Sequence, residues 1–269
     1  MNAPINDLER AYAASVRGPE GNPELFRLLR ESKLIFLLPY HPEMEGTFSL
    51  GNGDAVPKFS LWKSSDGIHI PIFTSKERAN EAFKRMRSRD KEYAIAEMKG
   101  QELFHLISCQ PYAIVINPAC KIAATYMDMN AVKKLADGSI LKPVEDGATH
   151  EGTVNIVEPA DYPTDFLQPL FRFLRERPQV KAAWLFRHFT PADPTRTYYV
   201  FALRVIGDAE KVKQDFAVVA HAACPEKTDY GVMIIDPKDQ ALARVTSTHP
   251  AFYAAPDYKS PSPLGGGIS

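Results

Sequence analysis

Residues 66–79 read DGIHIPIFTSKERA, and the fold turns on how this stretch divides. An Asp-Gly pair opens it, and IHIPIF then alternates as a strand does. From Thr74 onward the period changes. Ala79, Ala82, Phe83 and Met86 recur at i, i+3, i+4 and i+7, the stripe of an amphipathic helix. Thr74 and Glu77 have the spacing of a capping box, in which the threonine hydroxyl accepts a backbone N–H and the glutamate reaches back to the cap. The stretch therefore reads as a strand running into a capped helix. A helix N-terminus at a strand's end can also bind an anion, so a binding role stands beside the structural one.

Working outward, KFSLWK (58–63) and IHIPIF flank Asp66-Gly67 as a hairpin. Before it lies the loop-forming run 41–57, with room for one edge strand, and the continuous apolar run KLIFLLPY (33–40), a strand buried on both faces. NPELFRLLRES (22–32) is a helix with Asn22 as N-cap, Pro23 at its first position, and Leu25, Leu28 and Leu29 on one face. Downstream, EYAIAEM (92–98) is a strand, GQELFHLIS (100–108) a helix, and PYAIVINP (111–118) a central strand closed by Asn117-Pro118. KIAATY (121–126) adds a strand and DMNAVKKLA (128–136) a helix capped by Asp128.

The polar segment 137–153, with three glycines, reads as a linker. Beyond it TDFLQPLFRFLRERP (164–178) is a helix presenting Phe166, Leu170, Phe171 and Leu174, with Pro169 obscuring its start. Two strands, VKAAWLFRHF (180–189) and RTYYVFALRVIG (196–207), flank the turn TPADPT. A helix capped by Asp208 follows, with Val212, Phe216, Val219 and Ala220 inward, and then the strand YGVMIID (230–236). The expected fold class is α+β: two mixed α/β-sandwich domains, each a sheet covered by helices. The expected domains span 22–143 and 154–255, with flexible termini at 1–21 and 256–269.

The chain has 269 residues, 45% hydrophobic and 24% charged, with a formal net charge of −1. That balance argues against general affinity for nucleic acid or anionic lipid. No apolar run approaches the roughly 20 residues of a membrane span. The N-terminus lacks a secretory core. Three widely spaced cysteines form no disulfide framework and point to a reducing, cytoplasmic setting.

The seven histidines are isolated, so no metal is expected. Cys224 ends a helix just before Pro225, where the dipole raises a thiol pKa, and Cys109 and Cys120 read as small buried hydrophobes, Cys120 in a strand. No G-x-S-x-G elbow is present, and the lone G-x-G of GNGD does not open a helix after a strand. KRMRSRDK (84–91) is the basic cluster, a solvated helix end or a contact for an acidic partner. Trp62, Thr74, Ser75 and Asn117 are the candidate binding residues, because strand ends gather in one region of a mixed sheet and these four offer polar groups there. Their structural alternatives are core aromatic, helix caps and turn former.

DGIHIPIFTSKERA together with YAIVINPA (112–119) resembles the N-terminal domain of the SseB family, named for enhanced serine sensitivity. DYPTDFLQPLFRFLRERPQVKAAWLFRH (161–188) and HPAFY (249–253) resemble that family's C-terminal domain. The likeness covers roughly residues 22–255, with FTS and INP its most specific parts. It implies a bacterial protein and brings no established catalytic residues. The expected role is a non-catalytic accessory or regulatory protein without cofactor, binding a protein partner or a small metabolite and tied to amino-acid metabolism only as the family name suggests. An enzyme with a site at an interdomain cleft or at the Thr74 helix N-terminus is the alternative. Homo-oligomerisation through a strand edge or aromatic face is a further expectation.

Overall fold

The computed structural model describes residues 4–39, 58–65, 67–86, 93–142, 155–157, 164–190, 193–225, 228–236, 238 and 245–259. The loop 41–57, the basic cluster beyond Met86, most of the linker and the tail beyond Lys259 lie outside the described residues. The chain divides into two units, Met1–Arg17 with Glu24–Ile140, and Gly18–Pro23 with Leu141–Ser269.

The first unit carries helices α1 (Asp7–Arg17), α2 (Asn22–Glu31), α3 (Lys76–Met86), α4 (Gly100–Ser108) and α5 (Met129–Asp137). Its six-stranded sheet is formed by β1 (Lys33–Pro39), β2 (Trp62–Ser64), β3 (Gly67–Phe73), β4 (Tyr93–Lys99), β5 (Ala113–Ile116) and β6 (Thr125–Met127). The order is β4-β1-β3-β5-β6, and β2 pairs with the start of β3 as the other arm of the expected hairpin. All pairings are antiparallel except β3 with β5. β1 is buried on both faces, as its unbroken apolar run requires. Leu34, Phe36 and Leu38 face a core that gathers Ile70, Ile72, Ile114 and Ile116 under α1, α2, α4 and α5. Ile35 and Leu37 join Phe73 on the other face, against Ala79 and Ala82 of α3. Asp128 caps α5 by accepting from the Ala131 N–H at 2.7 Å.

Several expectations need correction. Residues 7–17 are helical and form no free tail: Leu8, Ala11 and Tyr12, at i, i+3 and i+4, are buried in the core, because burying an apolar stripe offsets the entropy of ordering a short helix. Asn22 already has helical angles (φ −61°, ψ −42°) and is not the N-cap. Cys120 lies in the turn after β5, not in a strand.

The second unit holds β7 (Asn155–Val157), α6 (Thr164–Arg175), β8 (Val180–Thr190), β9 (Asp193–Val205), α7 (Ala209–Ala223), β10 (Asp229–Ile234) and β11 (Tyr253–Ala254). Its order is β10-β9-β8-β11, with β7 also on β8, and β10 runs parallel to β9 after the α7 crossover. α6 and α7 cover one face. On α6 Phe166, Leu167, Leu170, Phe173 and Leu174 are buried, while Phe171, expected inside, lies at the edge of the stripe, 38% exposed and edge-on to Tyr253 at 5.6 Å. The other face buries Trp184, Phe186 and Ala202 with Ile235, beside the partly buried Ala251 and Tyr258. Residues 18–23 contribute a 3-10 turn whose Glu20 accepts from Arg172 at 2.7 and 3.3 Å. Asp208 caps α7 as expected.

Candidate functional site

β3 and β5 run parallel with Ile72 opposite Ile116, so their carboxyl ends lie side by side and Thr74 meets Asn117. The Asn117 N–H donates to the Ile72 carbonyl at 2.8 Å and closes the ladder. Asn117 then takes a left-handed φ of 51°, a region asparagine tolerates better than most residues. Its Oδ1 accepts from the Thr74 N–H at 3.0 Å, and its Nδ2 donates to the Thr74 hydroxyl at 3.1 Å. Both side chains are buried, Asn117 fully.

The Thr74 hydroxyl donates in turn to Glu9 of α1 at 2.9 Å. Glu9 is 1% exposed. Its two oxygens accept from Arg78 of α3, Nε at 2.9 Å and Nη2 at 2.7 Å, a two-point grip that suits the planar guanidinium. The Ile5 N–H adds a further bond at 3.0 Å. Asn6 aims the carboxylate: its Oδ1 caps α1 through the Glu9 N–H at 2.8 Å, and its Nδ2 reaches the Thr74 carbonyl. Arg78 also donates to Glu81 at 3.0 Å, and Glu81 accepts from the Lys121 N–H at 3.0 Å, tying α3 to the turn after β5.

Burial by itself would raise the Glu9 pKa. The Arg78 hydrogen bonds, the Ile5 amide, the Thr74 hydroxyl and the Arg78 charge outweigh that and hold it below the usual carboxylate range. Glu9, first of all, pushes Arg78 up against the opposing cost of burial. The constellation is an ion pair in which each charged partner meets several hydrogen-bonding groups, the condition for keeping a charge out of water.

Residues 8–134 match the SseB protein N-terminal domain, and residues 148–254 match the SseB protein C-terminal domain. The chain belongs to the SseB family. No curated protein and no solved structure matches it. The N-terminal SseB match begins within α1, so the likeness extends further toward the N-terminus than residue 22.

Of the four candidate residues, the fold brings Thr74, Ser75 and Asn117 together and leaves Trp62 apart. Trp62 pairs with His69, at the opposite end of β3. The cap of α3 is Ser75, whose hydroxyl accepts from the Arg78 N–H at 3.2 Å; Thr74, expected in that role, is turned to Glu9 and Asn117. Glu9 and Arg78, the charged centre of the arrangement, were not among the candidates. Asn6 three residues before Glu9, followed by the Leu8, Ala11, Tyr12 spacing, is a helix-start signal that could have revealed α1. No comparable signal marks Arg78, which flanks the buried stripe of α3.

Burial pushes the Cys224 thiol up to about 12, and burial together with the Glu81 charge does the same for Cys120. His105 and His221 are exposed on helices. Among the described residues no group of three His, Cys, Asp or Glu side chains could hold a metal ion, and no helix is long and apolar enough to cross a membrane. A surface groove of about 480 Å³ beside α4 is lined by Met98, Gln101, Glu102, His105, Leu106 and Ala136, and by none of the four candidates.

Proposed function

We propose that this SseB-family chain is a non-catalytic, cytoplasmic accessory protein that binds a protein partner or a small metabolite. The observation that carries this reading is the filled state of the β3–β5 strand ends. Where a helix N-terminus could have received an anionic substrate, Glu9 of the chain itself holds Arg78 and Thr74. A site whose donors are engaged by a buried internal carboxylate is suited to joining α1, α3 and the sheet. The raised Cys120 and Cys224 thiols also fit a chain without a thiolate nucleophile at those positions.

The test is a paired screen of the full chain against amino acids, serine included, nucleotides and common metabolites, together with affinity capture from a bacterial extract. A ligand at 100 times its dissociation constant adds about 2.7 kcal/mol, a shift of several degrees in Tm. The expected result is a saturable shift, or a stoichiometric complex that survives gel filtration, without turnover. Turnover of any metabolite by the purified chain would overturn the reading.

A further inference from the structure

We propose that the outer edge of β4 takes an extended acidic segment of a partner protein as an added strand, with that segment's apolar side chains in the groove beside α4. This rests on the reading of the chain as a partner-binding protein and gives that reading a surface and a chemistry.

β4 ends the strand order of the first sheet, and among the described residues no strand pairs with its far side. It pairs with β1 along its whole length, Lys99 opposite Lys33 and Tyr93 opposite Pro39. One step beyond that register, the Gly100 N–H donates to the Ser32 carbonyl at 2.8 Å. In an antiparallel pair the direction of bonding alternates, so Ala94, Ala96 and Met98 turn their backbone groups to β1. The N–H and C=O groups of Tyr93, Ile95, Glu97 and Lys99 therefore point outward, a row that an added strand can pair.

The two faces along this edge differ. Ala94, Ala96 and Met98 lie on the side of the core beneath α4. There the groove of about 480 Å³ opens, with Met98, Leu106 and Ala136 as its apolar lining and Glu102 and His105 as polar neighbours. The other face holds Tyr93, stacked on Phe83 at 5.7 Å, and Ile95, which is 40% exposed. On it Glu97 meets Lys33 at 3.0 Å and Lys76 at 3.2 Å. Strand alternation adds Lys99 to this face, and Lys99 also borders the groove. Three lysines thus gather around one glutamate.

Opposite residues of paired strands share a face, so a guest strand sets alternate side chains beside the lysines and the others over the groove. The positive excess selects acidic residues for the first set. The apolar lining selects aliphatic residues for the second, and Glu102 repels acidic ones there. A second copy of β4 is a poor guest, because it brings the same lysine excess to the edge.

The probe is a fluorescein-labelled peptide of four Glu-Val repeats, titrated into the full chain and followed by anisotropy. The controls are the same residues sorted into two blocks, and four Lys-Val repeats. We expect saturable binding of the Glu-Val peptide at micromolar concentration and at least tenfold weaker binding of both controls. Ile95→Pro removes an outward N–H and leaves the bonds to β1 in place, as proline on a strand edge allows. It should weaken binding at least tenfold with Tm within a few degrees of the parent, and Lys99→Glu should weaken it too. A Glu-Val peptide N-methylated along one edge asks the same from the guest's side, and should bind no better than the controls. Absence of saturable binding overturns the proposal. Equal binding of the block peptide also does, since it shows charge attraction without strand pairing, and so does binding unchanged by both substitutions. A parent chain that is dimeric by light scattering and monomeric as Ile95→Pro assigns the edge to a second copy and likewise overturns it. A partner complex insensitive to both substitutions refutes this surface and leaves the accessory-protein reading standing. Turnover of a metabolite refutes that reading instead, and the peptide titration still decides the edge.

Discussion

Glu9 and Arg78 are 1% and 5% exposed, and their stability is conditional on each other. Removing one partner of a buried pair strands the other charge, at about 3–5 kcal/mol. Glu9→Ala should therefore lower the urea midpoint substantially, and the Glu9→Leu, Arg78→Met double variant should lose less than the sum of its single variants. Additive losses would show that the pair is not energetically coupled. Acid gives a second test with a definite sign. The folded pKa of Glu9 is depressed, so the unfolded chain binds this proton more tightly. Its contribution is complete above the unfolded value of about 4.3 and is lost as pH falls through the lower folded value. Urea midpoints from pH 7 to pH 3 should fall less steeply at the acid end for Glu9→Gln than for the parent. Parallel acid limbs would remove Glu9 from the account. At this scale the sequence was legible where a side chain serves its own neighbourhood, as with Asp128 and Asp208. It was not legible where the partner comes from far along the chain, as Glu9 does for Arg78.

The strand-to-helix joint shows the same division within one element. Ser75 caps α3 locally, and Thr74 bonds across to α1 and β5. Ser75→Ala should cost about 1 kcal/mol, the ordinary loss of a cap. Thr74→Val keeps the shape and removes the hydroxyl, leaving a buried carboxylate oxygen and the Asn117 amide each short of a partner, at about 1–3 kcal/mol. Chemical denaturation of both variants checks the ranking; a larger loss at Ser75 would show that the Thr74 bonds to Glu9 and Asn117 contribute less than the helix cap. The period change at residue 74 announced the helix correctly, because periodicity reports which face is buried. It could not say which of two adjacent hydroxyls does the capping, since Thr-Ser offers either.

At the scale of the molecule, α1 belongs to the first unit in energy as well as in position. Deleting residues 1–17 removes Leu8 and Tyr12 from the core, about 1.5–3 kcal/mol each, and strands Arg78. The sum is comparable with the whole stability of many domains, about 5–15 kcal/mol. Hydrogen exchange on the 18–269 chain should show lost protection across 24–140 with protection across 164–259 retained. Unchanged protection in the first unit would reduce α1 to an appendage. By itself the sequence determined the order and kind of most elements, the burial of β1 on both faces, the two-domain α+β class and the SseB family. Each follows from local period, local turn chemistry or short characteristic segments. Only the tertiary structure decided that β3 and β5 pair in parallel, that FTS and INP therefore touch, and that Glu9 closes the space between them across 65 residues. Strand pairing and buried charge partners arise from contacts distant along the chain, and local periodicity carries no record of which distant residue a buried polar group will meet.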